Sequence, residues 1–204
     1  MKPARSDARD EKDEKEEQIP PRARILAAAG DLFYRHGVRA VGVDAIAEAA
    51  RTNKMTLYRH FDSKDELVAQ YLRESARGAD ACWGRLEKSY PGDALAQLRA
   101  WLQEVAGHIA DGGGRGCALV NAAIELPDKS HPARRVIEEH KIAQRARLIG
   151  LCVQAGLTEP EFLADELNLL LEGARVTAQS VGSDGLGARL LRMGEAVIAA
   201  HARP

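Results

Sequence analysis

The sequence predicts an all-α fold of about nine helices. Apolar residues recur three and four positions apart through most of the chain, which is the spacing of one helical face. No segment alternates apolar and polar side chains in the manner of a half-buried strand. Proline, glycine and capping residues interrupt the helical pattern repeatedly, so they divide the chain into separate helices.

Composition limits the classes of protein to which the chain can belong. Its 204 residues suffice for one or two helical domains, and its net charge is −1. No apolar run approaches the ~20 residues of a membrane span, and no apolar signal-peptide core is present, so we expect a cytoplasmic protein without membrane contact. Three cysteines without a C-x-x-C spacing predict neither disulfides nor a metal site. We expect no cofactor and, for want of any catalytic motif, no enzyme.

The N-terminal part divides into a charged arm and a compact unit. Residues 1–18 carry dense mixed charge and almost no apolar side chains, which predicts a disordered arm. Arg5 and Arg9 are candidates for contacts to a polyanion, although the acidic run that follows them opposes this. Pro20 and Pro21 suit a helix start. The following apolar face comprises Ile25, Leu26, Ala29, Leu32 and Phe33, and the helix is expected to end at Gly37.

Residues 42–67 form the most informative stretch. Val43, Ile46, Ala47 and Ala50 give a short amphipathic helix, and Asn53 is placed to cap a second helix over about 54–60. Leu57 and Phe61 are its inward residues. Ser63 then opens a capping box that starts a longer helix. Two short helices joined by a tight turn predict a helix-turn-helix, whose second helix enters the major groove of DNA.

The charge pattern supports this interpretation. Between residues 51 and 64 there are four basic residues and one acidic residue, and phosphate neutralisation supplies most non-specific affinity for DNA. Hydroxyl groups on the same helix suit phosphate oxygens, and an apolar side chain suits a thymine methyl group. The predicted DNA-binding residues are Arg51, Asn53, Lys54, Met55, Thr56, Tyr58, His60 and Lys64.

This order of residues resembles the TetR family of bacterial transcription regulators. The matching positions are Ile46, Ala47, Ala50, Thr56, Leu57, Tyr58, His60, Phe61, Ser63, Lys64 and Leu67. Departures lie at Gly42, where the family commonly has a capping Thr or Ser, and at residues 51, 52, 53 and 55. Arg51 stands where the family has the glycine of the turn, which we expect to cost roughly 1 kcal/mol at a positive φ.

The rest of the chain predicts about six further helices. The helix capped by Ser63 is expected to link the N-terminal unit to the remainder. Breaks follow at residues 91–93, 111–116, 127, 156 and 182–185, and a capping box at Thr158 is expected to open the penultimate helix. We therefore divide the chain into the arm (1–18), a helix-turn-helix DNA-binding domain (19–66) and a helical domain (67–204).

The resemblance implies that the C-terminal domain binds a small-molecule effector and forms a homodimer on a palindromic DNA operator. The candidate pocket residues are the two tryptophans and polar groups on apolar helices, namely Trp83, Trp101, His108, Cys117, Asn121, Glu125 and His140. In the family the last two helices pack against their twins, and the apolar candidates for this interface are Leu163, Leu167, Leu170, Leu171, Leu190, Met193 and Val197. Each of these residues is equally consistent with ordinary core packing.

Repression, with release of the operator by the effector, is the expected output. Two alternatives remain open. One is a DNA-binding regulator without a small-molecule effector, which responds to a partner or to oxidation of Cys82, Cys117 or Cys152. The other is a helical adaptor that binds protein, which the basic residues of the motif disfavour because lysine is depleted in protein interfaces.

Overall fold

The computed structural model describes residues 19–111 and 115–203. Within these ranges the chain forms nine α-helices and no strand, which confirms the all-α prediction. The helices are α1 (Pro21–His36), α2 (Val43–Ala49), α3 (Lys54–His60), α4 (Lys64–Ser89), α5 (Ala94–Ala110), α6 (Ala118–Glu125), α7 (Pro132–Gln154), α8 (Pro160–Val181) and α9 (Leu186–Ala200). The predicted arm, with Arg5 and Arg9, lies outside the described residues.

Local sequence explains the boundaries of the first four helices. Pro21 occupies the first turn of α1, and Gly37 ends that helix with a φ of 88°. The predicted caps of α3 and α4 are confirmed. The Asn53 side chain accepts a hydrogen bond from the Thr56 amide at 2.8 Å, and the Ser63 hydroxyl accepts one from the Glu66 amide at 3.1 Å.

Two hydrophobic cores lie at opposite ends of the long helices. The DNA-side core joins α1, α2, α3 and the first half of α4 to α6 and the start of α7, and includes Ile46, Leu57, Leu67, Leu119 and Val136. The distal core joins α5, α8 and α9 to the second halves of α4 and α7. Because α4 and α7 contribute to both cores, they connect the helix-turn-helix mechanically to the distal helices.

Glycine permits the closest helix approach in the distal core. A Cβ atom at Gly187 of α9 would lie 2.5 Å from the carbonyl oxygen of Ala106 in α5, and a Cβ atom at Gly194 would collide with Leu102. Because glycine has no side chain at these two positions, α9 can lie directly against α5.

The predicted capping box at Thr158 is wrong. Glu159 occupies the N-cap of α8 with a φ of 46°, and its side chain makes no capping hydrogen bond. Thr158 instead uses its amide and its hydroxyl to donate to the carbonyl oxygen of His201, at 2.8 and 3.0 Å. The buried His201 ring in turn contacts the Thr158 carbonyl at 2.8 Å and Glu166 at 2.9 Å, so the end of α9 is fastened to the start of α8.

Candidate DNA-binding surface and distal cavity

Helix α3 is amphipathic, and its inner side fixes it to the protein. Leu57 is 0% exposed and Phe61 is 2% exposed, both in the DNA-side core. On the outer side, Met55 is 77% exposed and Tyr58 is 44% exposed, and Lys54 and Arg59 are exposed beside them. These outward side chains make no contribution to the DNA-side core, so they are free to contact a ligand.

The turn before α3 carries backbone strain. Arg51 has a φ of 50°, the left-handed conformation expected at this position, and it is one of two non-glycine residues with positive φ in the described chain. Lys54 forms an ion pair with Asp44 of α2 at 3.3 Å. Both side chains are largely exposed, so the pair is weak and Lys54 can exchange Asp44 for another anion at little cost. This pair could not be predicted from local sequence, because it joins two different helices.

The remaining predicted DNA-binding residues differ in exposure. Asn53 is exposed, whereas Thr56 and His60 are half-buried. Lys64 differs most from expectation, because its ammonium lies 6.0 Å from the centre of the Phe33 ring, on the inner side of the unit. Burial lowers the pKa of Lys64, while the charges of Asp65 and Glu125 oppose that shift.

A cavity of about 560 Å³ lies between α4, α5, α6, α7 and α8. Five of the seven predicted pocket residues line it, namely Trp83, Trp101, His108, Cys117 and His140. The two indole rings stack with centroids 5.4 Å apart and planes 16° from parallel. The volume of the cavity is within the range of small-molecule binding sites, which is about 300–1,000 Å³.

Polar groups of the cavity have perturbed titration. The Cys82 thiol donates to a Glu104 carboxylate oxygen at 2.7 Å, and burial followed by this bond raises the pKa of Cys82 to about 11. Burial lowers the pKa of His140, and the neighbouring charges of Lys141 and Arg175 lower it further. The negative charges of Asp80 and Glu172 oppose this shift. Arg175 also lines the cavity, and sequence reasoning missed it. Its pairing with Glu172 three residues earlier, on an apolar helix, was the available clue.

Asn121 and Glu125 do not line the cavity. The Asn121 amide donates to the carbonyl oxygen of Arg115. Glu125 faces the loop between α1 and α2, where its carboxylate accepts a hydrogen bond from the Arg39 amide at 3.0 Å. The first turn of α6 borders the cavity, whereas its last turn borders the helix-turn-helix. Residues at the two ends of this short helix therefore contact different parts of the protein.

Four of the seven predicted interface residues are buried inside the chain. Leu163, Leu167, Leu171 and Leu190 are 0–2% exposed because they pack in the distal core. The other three, Leu170, Met193 and Val197, line a surface groove of about 460 Å³ between α8 and α9. Leu169 joins them there at 73% exposure. Neighbouring positions on α8 therefore divide between core and surface.

The fold and its exposed helix-turn-helix define a class of protein, the helix-turn-helix transcription regulators. Residues 25–71 match the family model described as "Bacterial regulatory proteins, tetR family". The crystal structure of SCO4454, a TetR-family transcriptional regulator from Streptomyces coelicolor, is similar with a TM-score of 0.85 and 32% identity, covering 90% of this chain and 96% of that one. The chain belongs to the TetR family.

Two curated relatives are similar over shorter segments. The transcriptional repressor KstR2 of Rhodococcus jostii is 44% identical over 118 residues, which are 58% of this chain and 48% of that protein. The transcriptional repressor SCO4008 of Streptomyces coelicolor is 42% identical over 53 residues, 26% of this chain and 28% of that protein. The alignment thus spans less than a third of this repressor. The three relatives named above are transcription regulators, and the chain is a regulator of this family rather than an enzyme, as expected.

The lengths and compositions of the helices bear on the predicted absence of a membrane span. In the part of the chain that it describes, no helix combines the length and the apolar character needed to cross a bilayer.

Proposed function

We propose that this chain is a homodimeric repressor that binds a palindromic DNA operator and is released from it by a small molecule. The observation that carries the proposal is the exposed face of α3, where Lys54, Met55 and Tyr58 project from a helix fixed by the buried Leu57. A helix held in this way can insert into the major groove without loss of its own core. Binding to chromosomal DNA would place the protein in the cytoplasm.

The groove between α8 and α9 supports a homodimer. Besides Leu169, the exposed apolar residues that line the groove include Met193 at 53%, and Val176 and Val181 are further exposed apolar residues of α8, at 51% and 81%. Such a patch is uncommon on a monomer, and two copies related by a twofold axis would cover it. Gly173 has open space around it in the middle of α8, which leaves room for a partner helix.

The position of α6 supports control by a ligand. Cys117, Ala118 and Leu119 border the cavity, and six residues after Leu119 the Glu125 carboxylate accepts a hydrogen bond from the Arg39 amide beside the helix-turn-helix. A ligand that favours one position of α6 would therefore change the support of the DNA-binding unit. SCO4008 and KstR2 are named repressors, whereas FasR of Mycolicibacterium smegmatis, 42% identical over 52 residues, is named an activator. The sign of regulation is therefore tested with a reporter gene behind the selected operator, whose expression should rise when the regulator is removed.

Selection of bound sequences from random duplex DNA tests the DNA-binding part. We expect a palindrome from the unchanged protein and loss of its enrichment with Lys54→Ala and Tyr58→Ala. Lys88→Ala is the matched control, because Lys88 is an exposed lysine in the last turn of α4, outside the helix-turn-helix. Lys54→Ala should also reduce the slope of log affinity against log salt concentration by about 1, which corresponds to the loss of one phosphate contact. Absence of enrichment from folded protein would contradict the proposal and favour the adaptor.

Sedimentation tests the dimer independently. Leu169→Glu should produce monomers, because it places a charge in the apolar groove. Val153→Glu is the control, since Val153 is 58% exposed on α7 and does not line that groove. Equal dimerisation of both variants would exclude the α8–α9 surface as the interface.

A regulator that responds to thiol oxidation is less well supported. Burial raises the pKa of Cys152 to about 11, and Cys82 has a similar pKa for the reasons given above. Thiols are nucleophilic only as thiolates, so these two are poor redox sensors near neutral pH. The forms of this alternative that stay open are a response through Cys117, a half-buried thiol that lines the cavity, and a response to a protein partner.

A further inference from the structure

The distal cavity has an apolar region and a polar region. Trp83 and Trp101 form a stacked aromatic wall, which Val105, Ile109 and Leu171 extend. The polar region lies on α7 and α8, where His140, Gln144 and Arg175 face the same space. A ligand that fills both regions must be amphipathic.

Arg175 gives the polar region a positive charge, and it belongs to an ionic group whose other two members, Lys141 and Glu172, lie beside the cavity without lining it. One oxygen of Glu172 accepts from Lys141 at 2.5 Å and from Arg175 at 3.3 Å, so one carboxylate is shared between two cations. The Arg175 side chain is 22% exposed and makes one hydrogen bond to a described residue, which leaves further N–H groups of its guanidinium available. A partly buried, incompletely paired guanidinium is a strong site for an anion.

The one carboxylate that lines the cavity, among the residues described, is already compensated. Glu104 accepts from the Cys82 thiol at 2.7 Å and pairs with Arg85 at 3.3 Å. His140 is held towards its neutral form by burial and by the nearby cations, so it can donate or accept without adding a charge. Glu172 does not line the cavity, although its second oxygen is buried without a hydrogen-bond partner among the described residues. Of the charged side chains that do line the cavity, Arg175 is the one that is incompletely paired.

We infer that the effector is an amphipathic organic monoanion, with its carboxylate or equivalent acidic group at Arg175 and its apolar body against the Trp83–Trp101 wall. This inference rests on the proposed function and specifies the ligand class of the same cavity. The net charge of the Lys141, Glu172 and Arg175 group is +1, which matches a single negative charge and not a polyphosphate. No uncompensated acid lines the described cavity to attract a cation.

Tryptophan fluorescence provides a direct assay, because the chain has two tryptophans and both line the cavity. The probes are decanoate, decanamide and decylamine, which share one apolar chain and differ in head-group charge. Decanoate should change the fluorescence at a concentration at least about tenfold lower than decanamide, since a charge-assisted hydrogen bond replaces a neutral one. Decylamine should bind most weakly.

Variants assign the preference to one residue. Arg175→Gln should bring decanoate and decanamide to similar affinities, whereas Arg175→Lys should retain part of the difference. Arg147→Gln is the matched control, because the Arg147 guanidinium lies 5.7 Å from the Trp83 ring but does not line the cavity. It should preserve the full preference for decanoate.

The inference is overturned if decanamide or decylamine binds as tightly as decanoate, if no probe binds, or if Arg175→Gln keeps the preference in a protein with unchanged circular dichroism. Each of these results leaves the DNA-binding proposal intact, because operator selection uses protein without ligand. Failure of operator selection would in turn leave the fluorescence result unaffected.

Discussion

Gly37 and Glu125 meet where the helix-turn-helix contacts α6, and substitution of the glycine tests that contact. Gly37 is buried at the end of α1 with a φ of 88° and a ψ of 154°. A Cβ atom there would lie 2.7 and 2.8 Å from the two carboxylate oxygens of Glu125. Gly37→Ala would therefore strain the backbone and also displace the carboxylate that accepts from the Arg39 amide.

The expected loss of stability has two sources. A non-glycine residue in this backbone region costs roughly 1–3 kcal/mol. Loss of a hydrogen bond to a charged acceptor costs about 1.5–3 kcal/mol. Together they predict that Gly37→Ala lowers the free energy of unfolding by roughly 2.5–6 kcal/mol, a large part of the stability of a typical protein.

A double-mutant cycle with Glu125→Ala separates the two sources. Without the carboxylate the new methyl group meets no obstacle, so Gly37→Ala should cost only the backbone strain. Urea unfolding followed by far-UV circular dichroism should give a coupling energy of about 1.5–3 kcal/mol between the two positions. Additive effects within about 0.5 kcal/mol would refute the contact between Gly37 and Glu125.

Three further predictions concern single positions. Asn53→Ala should cost about 1 kcal/mol of stability and weaken operator binding, whereas Ser63→Ala should cost a similar amount, measured by urea unfolding, without a comparable loss of operator affinity. The thiol of Cys82, with its pKa near 11 against an ordinary 9.0, should react with iodoacetamide about a hundredfold more slowly than an ordinary thiol at pH 8, and its reaction should accelerate up to pH 11. Because the folded protein keeps this proton above pH 9 and the unfolded chain releases it, the contribution of Cys82 to stability should be present below pH 9 and lost as the pH rises towards 11. Gly187→Ala should lower the free energy of unfolding, measured by thermal denaturation, by about 1–3 kcal/mol, because the new methyl group overpacks against α5. Gly84→Ala should not destabilise the protein, because Gly84 has open space around it.

The helix-turn-helix could be predicted from sequence because its determinants are local. The spacing of Ile46, Leu57 and Phe61 sets the buried face, and the side chains of Asn53 and Ser63 bond to amides three residues away. These interactions do not depend on the distal helices. Prediction and structure agree there for that reason.

The exposed and buried sides of α8, the helix of the proposed dimer surface, could not be separated from sequence. Helix α8 has leucines at five positions between 163 and 171, and its apolar surface is wider than one contact requires. Contacts with α5, α7 and α9 select Leu163, Leu167 and Leu171 for the core and leave Leu169 exposed. That choice depends on the positions of other helices, which the α8 sequence does not contain.

The Glu125 contact also bounds how much control α6 can transmit. The helix has eight residues and is about 12 Å long, so it cannot bend appreciably without breaking its own hydrogen bonds. A shift imposed at Leu119, beside the cavity, must then be felt at Glu125. If the carboxylate's bond to the Arg39 amide is made in only one of the two states, its worth of about 1.5–3 kcal/mol corresponds to a change in operator affinity of roughly 10- to 150-fold. Glu125→Gln, which keeps the shape but removes the charge, should therefore reduce the effect of a ligand on operator binding and leave ligand binding itself unchanged. An undiminished ligand effect in that variant would mean that α4 or α7, which also join the two cores, carries the coupling instead.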